Sequence, residues 1–432
     1  MAEAKGTLWV DVTMLVNWSG YLTGIQRVEY NLAKRYAEQP NVKFCVFHKD
    51  QRKLTEFDFK HITYKIEQLQ HQKTAPAAAT AVSQPTIVHR AIGKAKRTVG
   101  PLLSSRSKVF IKAQVHKLRQ AGKPANEDAP IIFGKHDTFL ILSGDWSDET
   151  FATMVAGMRA QTPFKVIQIV YDMLPAFFPS YFVPGMSDQF ATYMKHMFAV
   201  SDGILAISES TKRDVQKFMK LHKQKEVPVQ VFRLGDDFVK QEPVKPDLPV
   251  KSGDFVLCVC TVEARKNHME LYYAAREAML RNQDFPTLVI VGKRGWLAND
   301  FLYLVENDPV LARKFLFINC TDQELAWLYK NCAFTVFPSF YEGWGLPVAE
   351  SLFYGKFCLS SDTSSMPEIA GDLLEYFSPN DPMALLQKVQ YYIADSAALA
   401  AREKAIAKSY KPASWDDAFT QTREFVDSFR KI

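Results

Sequence analysis

Short apolar runs alternate with helix-periodic segments along almost the whole chain, in two successive series. Thr7–Val16, Val42–His48, Thr138–Leu142, Phe164–Val170, Gly203–Ile207 and Pro228–Phe232 read as strands. Helical patterns occupy about 25–39, 148–160, 187–200 and 209–220. A second series holds the strand-like runs Phe255–Cys260, Thr287–Gly292, Lys314–Ile318, Cys332–Phe337 and Lys356–Ser361. Runs that are apolar throughout, separated by helices, fit strands buried on both faces of a parallel sheet. Two such series point to two doubly wound α/β domains. The expected organisation is an N-terminal domain over 1–238, a linker over 239–250 rich in Pro and mixed charge, a C-terminal domain over 251–410, and a final amphipathic helix within 411–432. A length of 432 residues agrees with two cores rather than one.

The segment from about 65 to 130 does not follow this pattern. Between Gln68 and Asn126 the sequence has eleven Lys/Arg and no Asp/Glu, while the rest carries 42 Lys/Arg against 47 Asp/Glu. The net charge of +6 therefore belongs to this insertion. Lys73–Pro85 is a low-complexity spacer, and Thr86–Gly122 mixes apolar residues with its cations. Basic amphipathic helices over about 86–123, suited to an anionic membrane surface, are one reading, and a solvated basic insert is another. Nucleic-acid binding is not expected, because Phe110 is the segment's single aromatic side chain.

No apolar run approaches the roughly 18 residues of a spanning helix, and the N-terminus MAEAKGTLWVDV lacks a secretory pattern. The six cysteines sit mainly in apolar runs. Cys258 and Cys260 are expected to point to opposite faces of their strand, which would exclude a redox or zinc motif. His136 and His268 are expected to be structural. A reducing cytoplasmic compartment fits this cysteine usage.

The densest chemistry lies in FPSFYEGWGLPVAE (337–350). An apolar strand feeds a glycine-rich turn, and Pro347 suits the first turn of the helix that follows. Gly343 and Gly345 are expected to let backbone approach a ligand. The helix N-terminus offers free N–H groups to an anion such as a diphosphate. Glu342 before the turn and Glu350 inside the helix can reach hydroxyls on either side of it. This is the pattern of a sugar-nucleotide site. Asp236-Asp237 and Asp145-x-x-Asp148 do not form convincing metal-binding motifs.

The E-x7-E spacing of YEGWGLPVAE resembles the retaining glycosyltransferase family 4. PEIAGD (367–372), SPNDP (378–382), TGIQRV (23–28), ISESTKRDV (207–215), RKN (265–267) and VGKRGW (291–296) add to the likeness, which covers most of the chain outside about 65–130. The resemblance implies a GT-B fold: two Rossmann-like domains facing across a cleft, donor on the C-terminal side and acceptor on the N-terminal side. The final helix would cross back to the N-terminal domain. Glu342 would hold donor hydroxyls and stabilise positive charge at the anomeric carbon, while Arg265 and Lys266 would stabilise the leaving diphosphate. Glu350 would hold the ribose, with Gly343, Trp344, Gly345, Leu346, Arg294 and Gly24 around the donor. Thr23 and Tyr171 would lie on the acceptor side.

Two departures stand out. Tyr171 replaces the histidine that many relatives carry, which leaves Asp172 either to bind a hydroxyl or to cap the next turn. Thr261 stands where many relatives have arginine, so Arg265 would supply part of that contact. No metal and no cofactor are expected. TGIQRV and VGKRGW are similar to bacterial mannosyl- and rhamnosyl-transferases of surface-polysaccharide assembly. They imply hexose transfer, with mannose from GDP-mannose as the leading donor, to a glycan or lipid-linked glycan in an α-linkage. Another GDP-, UDP- or dTDP-sugar donor remains an alternative, as does a catalytically silent nucleotide-binding or membrane-scaffold subunit. The expected location is the cytoplasm, at the inner face of the membrane.

Overall fold

The structure, a computed structural model, describes residues 6–18, 22, 24–73, 129–144, 146, 149–236, 238 and 241–430, with side chains of 67–73 excepted. Thr23, Asp145, Asp148, Asp237 and the basic stretch 86–123 lie outside the described residues. The chain divides into two units, one made of Met1–Leu54 with Ile132–Ile432 and the other of Thr55–Ile131. In the smaller unit a helix spans Lys60–Lys73 and Thr55 bridges Pro130 in antiparallel fashion.

The larger unit is built on two sheets. Strands β1 (Leu8–Asp11), β2 (Val42–His48), β4 (Thr138–Ile141), β5 (Lys165–Val170), β6 (Gly203–Ala206) and β7 (Val229–Val231) take the order β2-β1-β4-β5-β6-β7, and β3 (Lys53–Phe57) runs across the boundary between the units in the chain. Strands β8 (Phe255–Val259), β9 (Thr287–Val291), β10 (Phe315–Ile318), β11 (Thr335–Phe337), β12 (Cys358–Ser361) and β13 (Glu375–Phe377) take the order β10-β9-β8-β11-β12-β13. The pairing is parallel at both centres, with Val10 beside Phe44 and Leu140, and Leu257 beside Val289 and Thr335. Central strands such as β1, β4 and β6 are buried at every residue, which accounts for their unbroken apolar sequence. In each sheet the strand order reverses once, at β1/β4 and at β8/β11. A doubly wound sheet opens a crevice at such a reversal, outside the carboxyl ends of its strands. The loops after β8 and β11 carry Arg265, Lys266 and Glu342.

The first strand is shorter than its apolar run. It ends at Asp11, and Thr13–Asn17 forms a helix. The Asp11 carboxylate accepts from the Thr13 amide (3.1 Å) and hydroxyl, while Thr13 Oγ1 accepts from the Phe47 amide at 2.8 Å. This local polar satisfaction overrides the β-pattern of the residues. The linker is fastened rather than free. The Val244 amide donates to the Gln323 carbonyl at 3.1 Å, and Val250 is buried with Phe255, Leu257, Val289 and Leu328.

The chain passes between the sheets twice, and Asp236 joins the two passages. Its amide donates to Ala413 O at 2.9 Å, and its carboxylate accepts from the Tyr410 hydroxyl (2.5 Å), the Ala413 amide and Arg233 (3.1 Å). A capping box at Ser414 and Asp417 then starts the helix Trp415–Phe429. That helix lies on the N-terminal half. Phe419 meets Tyr36 edge-on at 5.0 Å, the Tyr36 hydroxyl bonds Thr422 at 3.2 Å, and Arg430 donates to Gly6 O at 2.6 Å.

Candidate active site

Beyond β8 the chain forms a tight turn, Ala264–Lys266, ended by Asn267 with a left-handed φ of 55°. Asn267 tolerates this conformation and ties it down by donating from Nδ2 to Pro379 O at 2.8 Å. The turn delivers two cations to one carboxylate. Arg265 Nη1 lies 2.7 Å from Glu342 Oε2 and Lys266 Nζ lies 2.6 Å from Glu342 Oε1. Arg265 Nε also pairs with Glu263 at 2.8 Å, and Lys266 Nζ sits 5.2 Å from the Phe337 ring centre. The Glu342 amide donates to Ser364 Oγ (2.9 Å), and Ser365 Oγ donates to the Glu342 carbonyl (3.1 Å).

Burial alone would raise the Glu342 carboxyl, but Arg265 and Lys266 outweigh it and hold the group down at about 2. Burial lowers the Arg265 guanidinium, yet the carboxylates of Glu342, Glu263 and Asp172 bring it above its ordinary range. Asp172 Oδ1 accepts from the Leu174 amide at 3.0 Å, so it caps the turn after β5. Burial pushes Asp172 up, with Arg265 opposing.

Glu350 lies in the second turn of the helix Leu346–Phe353. Its Oε1 accepts from Arg27 Nη1 at 2.8 Å and its Oε2 from the Tyr329 hydroxyl at 2.9 Å. Burial lowers Arg27, and Glu350 more than compensates, leaving the guanidinium raised. Arg27 also packs 5.3 Å from the Phe238 ring centre. It belongs to TGIQRV, but its partner lies more than 300 positions away and carries no local signature.

The two glycines of the turn do different work from that expected. A Cβ on Gly343 would lie 2.0 Å from the Tyr171 carbonyl oxygen, so its bare face admits the loop after β5 rather than a ligand. Thr211 Oγ1 donates to the Tyr171 carbonyl at 3.2 Å and approaches Gly343 O at 3.4 Å. Gly345 takes φ 131° to start the helix and approaches Ile369. Tyr171 is buried, and burial raises its hydroxyl well above its usual range. Trp344 is buried too; its carbonyl accepts from Ser365, while its indole Nε1 is buried without a hydrogen-bond partner. Leu346 opens the helix.

Gly24 has φ 48° and open space where a side chain would stand. Arg294 is largely exposed and pairs with Glu306 at 2.8 Å, apart from the Arg265–Lys266–Glu342 triad, although its backbone bridges Val262. Reading motifs separately missed one junction. Glu368 of PEIAGD accepts from the Glu209 and Ser210 amides of ISESTKRDV, both at 2.7 Å, capping the helix Glu209–Leu221 from the other half. Tyr341 extends this seam, donating to Asp214 at 2.8 Å and packing on Phe178 at 4.8 Å. Tyr181 stacks on Phe340 at 5.5 Å. The aromatics of loop 174–184 thus join the two halves.

Cys258 and Cys260 do not point to opposite faces of their strand, as expected, but to the same one. Residues two apart on a strand share a face, and Cys258 Sγ lies 3.8 Å from Cys260 Sγ, which in turn lies 3.4 Å from His268 Nε2.

Residues 240–411 match the family Glycosyl transferases group 1. The chain is 28% identical over 284 residues to the Serotype-specific mannosyltransferase WbdA of Escherichia coli, covering 62% of this chain and 34% of that protein. It is 27% identical over 228 residues to the Escherichia coli O-antigen chain mannosyltransferase B, covering 51% and 58%. The chain thus spans about a third of the length of WbdA. Anabaena Alr3699/HepE, solved in complex with UDP and glucose, superposes with a TM-score of 0.61 at 14% identity, covering 98% of this chain and 100% of that one. The sucrose-phosphate synthase of Thermosynechococcus elongatus gives 0.59 at 15% identity, covering 98% and 99%. Both share the fold. The chain therefore has the GT-B fold, and its residues 240–411 match the glycosyl transferases group 1 family.

Proposed function

We propose that this chain is a retaining hexosyltransferase that moves mannose from GDP-mannose to a growing, lipid-linked polysaccharide in an α-linkage. The observation that carries this reading is the triad at the β8/β11 reversal, two cations clasping the single carboxylate of Glu342. A donor diphosphate takes Arg265 and Lys266 as partners and the N–H groups before Leu346 as further donors. As the sugar–phosphate bond breaks, negative charge grows on the diphosphate and positive charge on the anomeric carbon. The cations stabilise the first and Glu342 the second. In a retaining transfer the acceptor hydroxyl enters on the face the diphosphate leaves. Its proton passes to the departing phosphate oxygen. Glu350, released by Arg27, receives the ribose hydroxyls.

Mannose and an O-antigen-type acceptor are supported by the names of WbdA and the O-antigen chain mannosyltransferase B. The UDP of Alr3699/HepE supports the nucleoside-diphosphate class and makes a UDP-sugar the alternative to test. No helix among the described residues is long and apolar enough to cross a membrane. Access to a lipid-linked acceptor falls to the basic stretch 86–123, held at an anionic surface. The test is transfer from GDP-mannose, UDP-glucose and dTDP-rhamnose to a lipid-linked glycan, with the product's anomeric configuration read by NMR. An α-mannoside from GDP-mannose supports the proposal, a product whose anomeric configuration is opposite to that of its donor overturns retention, and transfer from another donor replaces mannose.

A further inference from the structure

Behind the donor loop, Cys258, Cys260 and His268 gather three buried soft donor atoms, all within 4.8 Å of one another. We propose that they form a site for a thiophilic divalent cation of the zinc class. Two residues apart on and just beyond β8, the cysteines project from the same face. His268 opens the helix His268–Leu280 and turns Nε2 back to Cys260 Sγ.

The spacings suit one ion. Bonds of about 2.3 Å to sulfur and about 2.0 Å to nitrogen at tetrahedral angles require donor separations close to those found between the sulfurs (3.8 Å) and between Cys260 and His268 (3.4 Å). A two-thiolate, one-imidazole set selects zinc-like or cuprous ions over magnesium or calcium. Three protein ligands leave one position for a water or other small donor. His268 lines a cavity of about 400 Å3, shared with Glu263, Asn267, Glu270, Tyr273 and Phe301.

Nothing in the transfer reaction uses these groups, and none of the three touches Glu342. Their ligand positions bracket residues 261–267, the loop that presents Arg265 and Lys266. An ion held there fixes both roots of that loop, so it acts as a positioning element for the cations. Binding releases the thiol protons and involves no change of oxidation state. The inference stands independently of the donor or acceptor sugar.

Cobalt(II) titration of the full, reduced chain under anaerobic conditions tests it. The expected result is saturation at one equivalent, with sulfur-to-cobalt charge-transfer absorption and the visible bands of tetrahedral coordination. Zinc should displace the cobalt and raise the Tm. Cys258→Ser, Cys260→Ser and His268→Gln should each weaken cobalt binding at least about ten-fold, while Cys320→Ser, at a cysteine outside the cluster, should not. Native mass spectrometry of the unaltered chain with zinc should add one ion, a readout that does not depend on any variant folding. Absence of a saturable sulfur band, no zinc adduct, or binding unchanged in all three cluster variants would overturn the proposal.

Discussion

Arg27 Nη1 lies 2.8 Å from Glu350 Oε1, so a helix of the N-terminal sheet is ion-paired to the first helix after the glycine turn of the C-terminal sheet. Tyr329 holds the other carboxylate oxygen at 2.9 Å. Glu350 is mostly buried, and truncating Arg27 leaves it one partner short. Breaking a largely buried pair from one side costs about 3 kcal/mol, less here because Arg27 is partly exposed. Arg27→Ala should lower the Tm by a few degrees in differential scanning calorimetry. With the proposed role of Glu350 on the ribose, Glu350→Ala should weaken a nucleoside and its diphosphate to a similar extent, about ten-fold.

Glu342 gives the stability of the protein an acid limb. Its folded value of about 2 lies below the ordinary 4.5, so its contribution is complete above about pH 4.5 and lost as the pH falls towards 2. The full effect is on the order of 3 kcal/mol. Lys266→Met removes one of the two cations that depress it. The acid unfolding midpoint should then move to higher pH, read by circular dichroism; an unchanged midpoint would mean that the Lys266–Glu342 contact contributes no stability.

Gly343→Ala tests the seam between the halves. The added methyl would stand 2.0 Å from the Tyr171 carbonyl oxygen and 3.2 Å from Asp172 Cβ. The prediction is a loss of kcat of about ten-fold or more, from displacement of the loop after β5, with nucleotide affinity largely kept. Equal loss of both would mean that Gly343 serves the donor loop alone.

Asp236→Asn tests the junction of the two crossings. The carboxylate is fully buried and accepts from Tyr410, Ala413 and Arg233. Loss of its charge should destabilise the protein by about 1–3 kcal/mol, measured by urea unfolding. If the halves rotate about this point during turnover, kcat and KM should change together.

The sequence carried much of the frame. Buried parallel strands need apolar residues on both faces, so β5, β6, β8, β9 and β12 were readable as runs, and alternation with helices set the class. The run Thr7–Val16 was misread because Asp11 and Thr13 satisfy a helix start that propensity does not reveal. The edge strand β13 is three residues long and half-buried, too short for a pattern. At the site, Glu342, Arg265 and Lys266 were legible as residue types around one loop system. Arg27–Glu350 and Glu368–Ser210 were not, because each pair depends on two distant helices meeting. Cys258 and Cys260 required only the two-residue period of a strand to be placed on one face.

Arg265, Lys266 and Glu342 are proposed to form the diphosphate end of a sugar-nucleotide site. Calorimetric titration of the wild type and Lys266→Ala with GDP, UDP, dTDP and ADP, each beside its nucleoside, tests it most directly. GDP should bind the wild type, and Lys266→Ala should weaken the diphosphate about ten-fold more than guanosine. Binding of none of the four diphosphates, or equal weakening of nucleotide and nucleoside, would contradict it.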